Sequence, residues 1–62
     1  MQHVHIGTTH SGVYGLFTGN TLAWGFSQEF IDSLEHETPK QQFAMIQALC
    51  KRLGFILDDV GP

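Results

Sequence analysis

Sixty-two residues, a formal net charge of −3 and 42% hydrophobic content point to one small domain, residues 1–62, which on folding buries only about 60% of the surface its unfolded chain exposes. An aromatic share of 11% argues against disorder, while three cations, Lys40, Lys51 and Arg52, are too few for a surface that tracks nucleic-acid phosphates. The lone Cys50 excludes an intrachain disulfide and a four-cysteine zinc site and fits a reducing, cytoplasmic setting; no run approaches the roughly 18 apolar residues of a membrane span, and Met1-Gln-His-Val-His-Ile6 lacks the basic start of a secretory leader.

In chain order, the alternation of Val4 and Ile6 with His3 and His5 predicts a strand over 2–6, followed by a loop at Gly7-Thr-Thr-His-Ser-Gly12. Gly19-Asn20 lies between two runs rich in aromatic, aliphatic and threonine residues, which predicts strands 13–18 and 21–26 joined by a type I′ or II′ turn. A regular ladder then sets Thr18 opposite Thr21, Phe17 opposite Leu22, Leu16 opposite Ala23, Gly15 opposite Trp24 and Tyr14 opposite Gly25, with the aromatics covering the strand glycines. Alternation assigns Val13, Phe17, Leu22, Trp24 and Phe26 to the core face, and Tyr14, Leu16, Thr18, Thr21 and Ala23 to an outer, mixed face.

Ser27 is a good N-cap for a helix over 28–36, whose apolar stripe is Phe30, Ile31 and Leu34. Thr38-Pro-Lys-Gln41 combines a capping threonine with proline at the first helical position and starts a second helix over 39–53. Phe43, Ile46, Leu49, Cys50 and Leu53 recur on one face of it, Lys51 and Arg52 fill its last turn, and Gly54 supplies a left-handed stop. Phe55-Ile-Leu57 is expected to pack back on the helix, with a short extra strand as the alternative, and 58–62 to fray as an acidic end. The expected fold is α+β: a three-stranded antiparallel β-meander followed by two α-helices packed on one face, in the order β-β-β-α-α.

No cofactor motif is present: the glycines at 7, 12, 15 and 19 form neither phosphate-binding nor dinucleotide-binding spacing. His3 and His5 point the same way from one strand and His10 follows in the loop, a candidate metal trio set against the simpler reading of a solvated strand face. Four histidines also offer a proton-sensing role. Cys50 falls on the apolar helix stripe, the place of a core thiol rather than of a nucleophile. The carboxylates at 35, 37, 58 and 59 imply no pocket for acid–base work, so an enzyme is not expected.

The expectation is a small non-catalytic protein-interaction module acting as a regulator, inhibitor or adaptor of a larger protein, as a homodimer. Its partner-binding residues would be Tyr14, Leu16, Thr18, Thr21, His3 and His5, with an open strand edge at His3–Ile6 ready to pair with another chain. The competing reading is a nucleic-acid-binding regulator using the helix over 39–53, whose Lys40, Gln41, Gln42 and Gln47 lie toward its start.

Overall fold

The computed structural model describes residues 1–59. Four strands and two helices follow one another as β1 (Gln2–Thr8), β2 (Tyr14–Thr18), β3 (Thr21–Gly25), α1 (Gln28–Glu35), α2 (Pro39–Leu53) and β4 (Phe55–Leu57). The fold is α+β, with a mixed sheet in the order β3-β2-β1-β4. The three-stranded meander is present, but Phe55–Leu57 adds a fourth strand, parallel to β1, with Gln2, His3 and Val4 opposite Phe55, Ile56 and Leu57. This corrects the expectation that 55–57 would simply fold back on α2. Gly54, at φ 80°, reverses the chain at the helix end and delivers it to the edge of β1.

Asp58 and Asp59 are not loose either. The Asp58 amide donates to the Val4 carbonyl at 2.9 Å, and the Asp59 carboxylate accepts from the Ile6 amide at 3.1 Å. The remainder of the predicted frayed tail, residues 60–62, lies outside the described residues.

The turn at Gly19-Asn20 forms as expected, with a positive φ of 58° at Gly19 and none at Asn20, the pattern of a type II′ turn. Thr18 pairs with Thr21 and Phe17 with Leu22, and there the regular ladder ends. Ala23 is an extra residue on β3, a β-bulge, so that Leu16 pairs with Trp24 and Gly15 with Gly25. Those two glycines therefore face each other instead of each facing an aromatic partner. A Cβ on Gly15 would sit 2.9 Å from Leu22 Cδ1, and one on Gly25 3.6 Å from Val13 Cγ1 and 3.8 Å from Leu22 Cδ2, so aliphatic side chains lie over them.

Phe26 is in the core as expected, but Leu16 and Phe17 take opposite sides from the expected assignment, and Val13 and Leu22 go with Phe17. β1 pairs with β2 so that His5 faces Phe17 and Ile6 faces Leu16. Cross-strand partners share a face, so Leu16 joins Val4 and Ile6, whereas Phe17 joins the histidines. The helices cover the first set: Leu16 is 0% exposed, and it packs with Val4, Phe26, Leu34, Ile46 and Cys50. The bulge turns both Ala23 and Trp24 toward the helix side, Ala23 against the core and Trp24 at its margin, 43% exposed beside Phe30 and Leu49.

The helices are capped as their sequences dictate. Ser27 Oγ accepts from the Phe30 amide at 3.1 Å, and Thr38 Oγ1 accepts from the Gln41 amide at 3.2 Å. The Gln42 side-chain amide donates to the Leu34 carbonyl at 2.7 Å, which ties the start of α2 to the end of α1. Ile46 and Cys50 are buried from α2, with Met45, Leu49 and Leu53 packed around them. Phe43 is only half-buried and stands outside this cluster.

Candidate functional site

The helices leave one face of the sheet uncovered. Ladder parity places His3, His5, Val13, Phe17, Leu22 and Ile56 on it, and three of these are large apolar side chains well exposed to solvent: Val13 at 41%, Leu22 at 38% and Ile56 at 37%. Phe17 belongs to this face yet is buried, because its ring lies flat across Gly7 and beside His5. A Cβ on Gly7 would approach Phe17 Cδ1 to 3.0 Å, and the rings of His5 and Phe17 stack with centroids 5.9 Å apart. The open face also lacks formal charge over most of its extent, since no Asp, Glu, Lys or Arg precedes Glu29 and β1, β2 and β3 all come before it.

At one end of this face is an open hollow of about 580 Å³, bounded by β1, the loop after it and the β2–β3 turn, with His5, His10, Phe17 and Asn20 on its walls. His5 bridges the two sides. Its Nε2 donates to the Gly19 carbonyl at 2.9 Å, and its Nδ1 lies 3.4 Å from the Ile6 carbonyl. The carbonyl of Gly19, then that of Ile6, raises the imidazole above the ordinary histidine value of 6.5, with Asp59 and Asp58 adding to the effect. The loop on the opposite wall is held by Thr9, whose hydroxyl accepts from the Val13 amide at 2.9 Å.

The three candidate metal-binding histidines do not converge. His3 Nδ1 is engaged by Asp58 Oδ1 at 2.7 Å, His5 by the turn, and His10 lies in the loop; among the described residues no three His, Cys, Asp or Glu side chains gather to hold an ion. Cys50 is buried, and burial followed by the charge of Asp59 pushes its thiol upward, away from the reactive thiolate.

The six residues expected to bind a partner are divided between two faces. His3 and His5 are on the uncovered side. Leu16 is wholly buried beneath the helices, and this corrects its assignment to an outer surface. Tyr14 is exposed but belongs to the helix side, its ring 6.0 Å from that of Phe26. Thr18 is half-buried and Thr21 exposed beside the turn. The predicted open edge at His3–Ile6 is also corrected, because β4, Asp58 and Asp59 occupy it. Alternation within the hairpin does not single out Val13 and Leu22 as surface residues; the pairing of His5 with Phe17 puts them on the open face, and that of His3 with Ile56 puts Ile56 there.

Lys40 stands in the first turn of α2, and Lys51 and Arg52 in its last. With a rise of about 1.5 Å per residue, these cations are roughly 16 Å apart and form no common patch. Among the described residues no helix is long and apolar enough to cross a membrane.

These features define a small α+β protein with a mixed four-stranded sheet, helices on one side and an uncovered, largely uncharged face on the other. No protein-family model, no curated protein and no solved structure matches this chain.

Proposed function

We propose that the chain is a non-catalytic interaction module, acting as a regulator, inhibitor or adaptor of a larger protein and working as a homodimer in a reducing, cytoplasmic setting. The observation that carries this reading is the uncovered sheet face, where Val13, Leu22 and Ile56 are exposed and, apart from Ile56, belong to a segment without formal charge. Covering Val13, Leu22 and Ile56 removes apolar area from water, at roughly 25 cal/mol per Å², with His3, His5 and Asp58 the ionisable groups nearest them on that face. The placement of the other chemistry supports the same reading. His3 and His5 spend ring nitrogens on contacts within the chain, and the only thiol is buried.

Sedimentation velocity over a concentration series tests the dimer. The expected species has about twice the 6.9 kDa mass of the chain, and Leu22→Asp combined with Ile56→Asp should return it to a monomer with an unchanged circular dichroism spectrum. A wild-type monomer persisting to high micromolar concentration defeats the homodimer reading. A partner that is captured equally well by the double variant defeats the use of this face.

A further inference from the structure

We infer that the His5 ring is a protonation-dependent tie, which fastens the β2–β3 turn to β1 and thereby sets one wall of the hollow on the uncovered face. The geometry carries the inference. Each ring nitrogen faces a main-chain carbonyl: Nε2 that of Gly19 at 2.9 Å, and Nδ1 that of Ile6 at 3.4 Å. A carbonyl oxygen only accepts, so both contacts are attractive only when both nitrogens bear protons. A neutral ring with its proton on Nε2 keeps the Gly19 bond and turns a bare lone pair toward Ile6. With the proton on Nδ1 it loses the turn altogether.

The Phe17 ring, stacked at 5.9 Å with an interplanar angle of 25°, holds the imidazole in the orientation that reaches Gly19. Gly19 itself is the residue of positive φ on which the hairpin reverses, so the tie acts at the pivot of the turn. Among the described residues the ionisable groups around His5 are few. Asp58 and Asp59, which follow β4, favour its cationic form; His10 shares the hollow from the loop, and His3 lies two residues away on the same face of β1 with Asp58 as its own partner. Within this set the carbonyls of Gly19 and Ile6 outweigh the carboxylates. As pH rises and His5 gives its proton to solvent, the Ile6 contact is lost and the Gly19 bond loses its charge assistance, or in the Nδ1–H tautomer breaks altogether, so the turn is held more tightly in mild acid than in mild base.

An NMR titration of the full chain, following the imidazole signals and the backbone amides, tests this. The expected result is a His5 midpoint above the ordinary histidine value of 6.5, with the Asn20 amide, part of the peptide group whose oxygen His5 holds, shifting at the His5 midpoint. In His5→Gln, whose side-chain amide can donate to the same oxygen without titrating, that shift should vanish while the rest of the spectrum stays folded. The inference is overturned if His5 titrates no higher than the ordinary value of 6.5, if the Asn20 amide does not follow the His5 signals, or if His5→Gln leaves the Asn20 titration intact. It is overturned as well if Asp58→Asn with Asp59→Asn lowers His5 to the ordinary value of 6.5, because the carboxylates and not the turn would then hold the proton.

Discussion

Leu16 and Trp24 are cross-strand partners with opposite fates, and the difference sets their energetic roles. Leu16 is buried among five other core side chains, whereas Trp24 rests at the margin with nearly half its surface in water. Leu16→Ala should therefore destabilise by about 2–5 kcal/mol, and Trp24→Ala by less than half as much, since much of that ring has no packing to lose. Urea denaturation of the two variants checks the order, and a larger loss at Trp24 would contradict the face assignment. Gly15 is the strictest position of all. A Cβ there would collide with the Trp24 carbonyl oxygen, a main-chain atom fixed by the bulge, so Gly15→Ala should break the β2–β3 pairing, visible as loss of amide protection in both strands.

His5 gives stability a pH dependence of definite sign. Its folded-state pKa lies above 6.5, so the folded protein binds the proton more tightly than the unfolded chain does. The contribution is complete below about pH 6.5 and declines as pH rises through the folded-state value. The effect is small for so exposed a ring. It should appear as a modestly higher melting temperature at mildly acidic pH than at mildly basic pH, a difference that His5→Gln removes.

Among the elements, the helices and the sheet edges are stabilised by separable local devices. Thr38→Ala removes the side-chain acceptor for the Gln41 amide and should cost about 1 kcal/mol. At the β4 edge, Asp59 performs for Ile6 what a longer strand would do, supplying an oxygen to an outward-facing amide. Asp59→Ala should lower protection of the Ile6 amide by about 1 kcal/mol, a roughly five-fold faster exchange, with Leu34 and Ile46 unaffected. Both edges of the sheet are poor templates for an added strand. β4 has three residues and is followed by two acids, and the bulge at Ala23 interrupts the spacing of main-chain groups along β3. A partner is therefore expected on the uncovered face and not along an edge.

For the molecule as a whole, size is the controlling fact. A 62-residue chain rarely gains more than about 3–5 kcal/mol from a single core, and this one leaves a whole sheet face without a covering layer. If two copies cover that face, association adds to stability by mass action, and the melting temperature should rise with protein concentration. A melting temperature independent of concentration would leave the stability to the monomer alone.

The local elements were legible in the residues. Gly19-Asn20 announced its turn, Ser27 and Thr38 their helix starts and Gly54 its stop, because each works through hydrogen bonds or backbone angles within a few positions. The strand over 55–57 and the sides taken by Leu16 and Phe17 depend on partners far along the chain. Both residues are apolar and neighbours in β2, so alternation in that hairpin alone is compatible with either facing the helices. The choice was made by β1, where Val4 and Ile6 had to be inside and His3 and His5 outside, and by a register that sets Ile6 against Leu16. The same long-range pairing assembled the hollow from His5, Phe17 and the turn, and the bulge at Ala23 then moved Trp24 off the face that a regular ladder predicts. Sequence by itself thus determined where the chain turns, coils and extends, since those preferences are set by neighbouring residues. Only tertiary packing decided which side of the sheet was left open, because that depends on strands brought together across most of the chain's length.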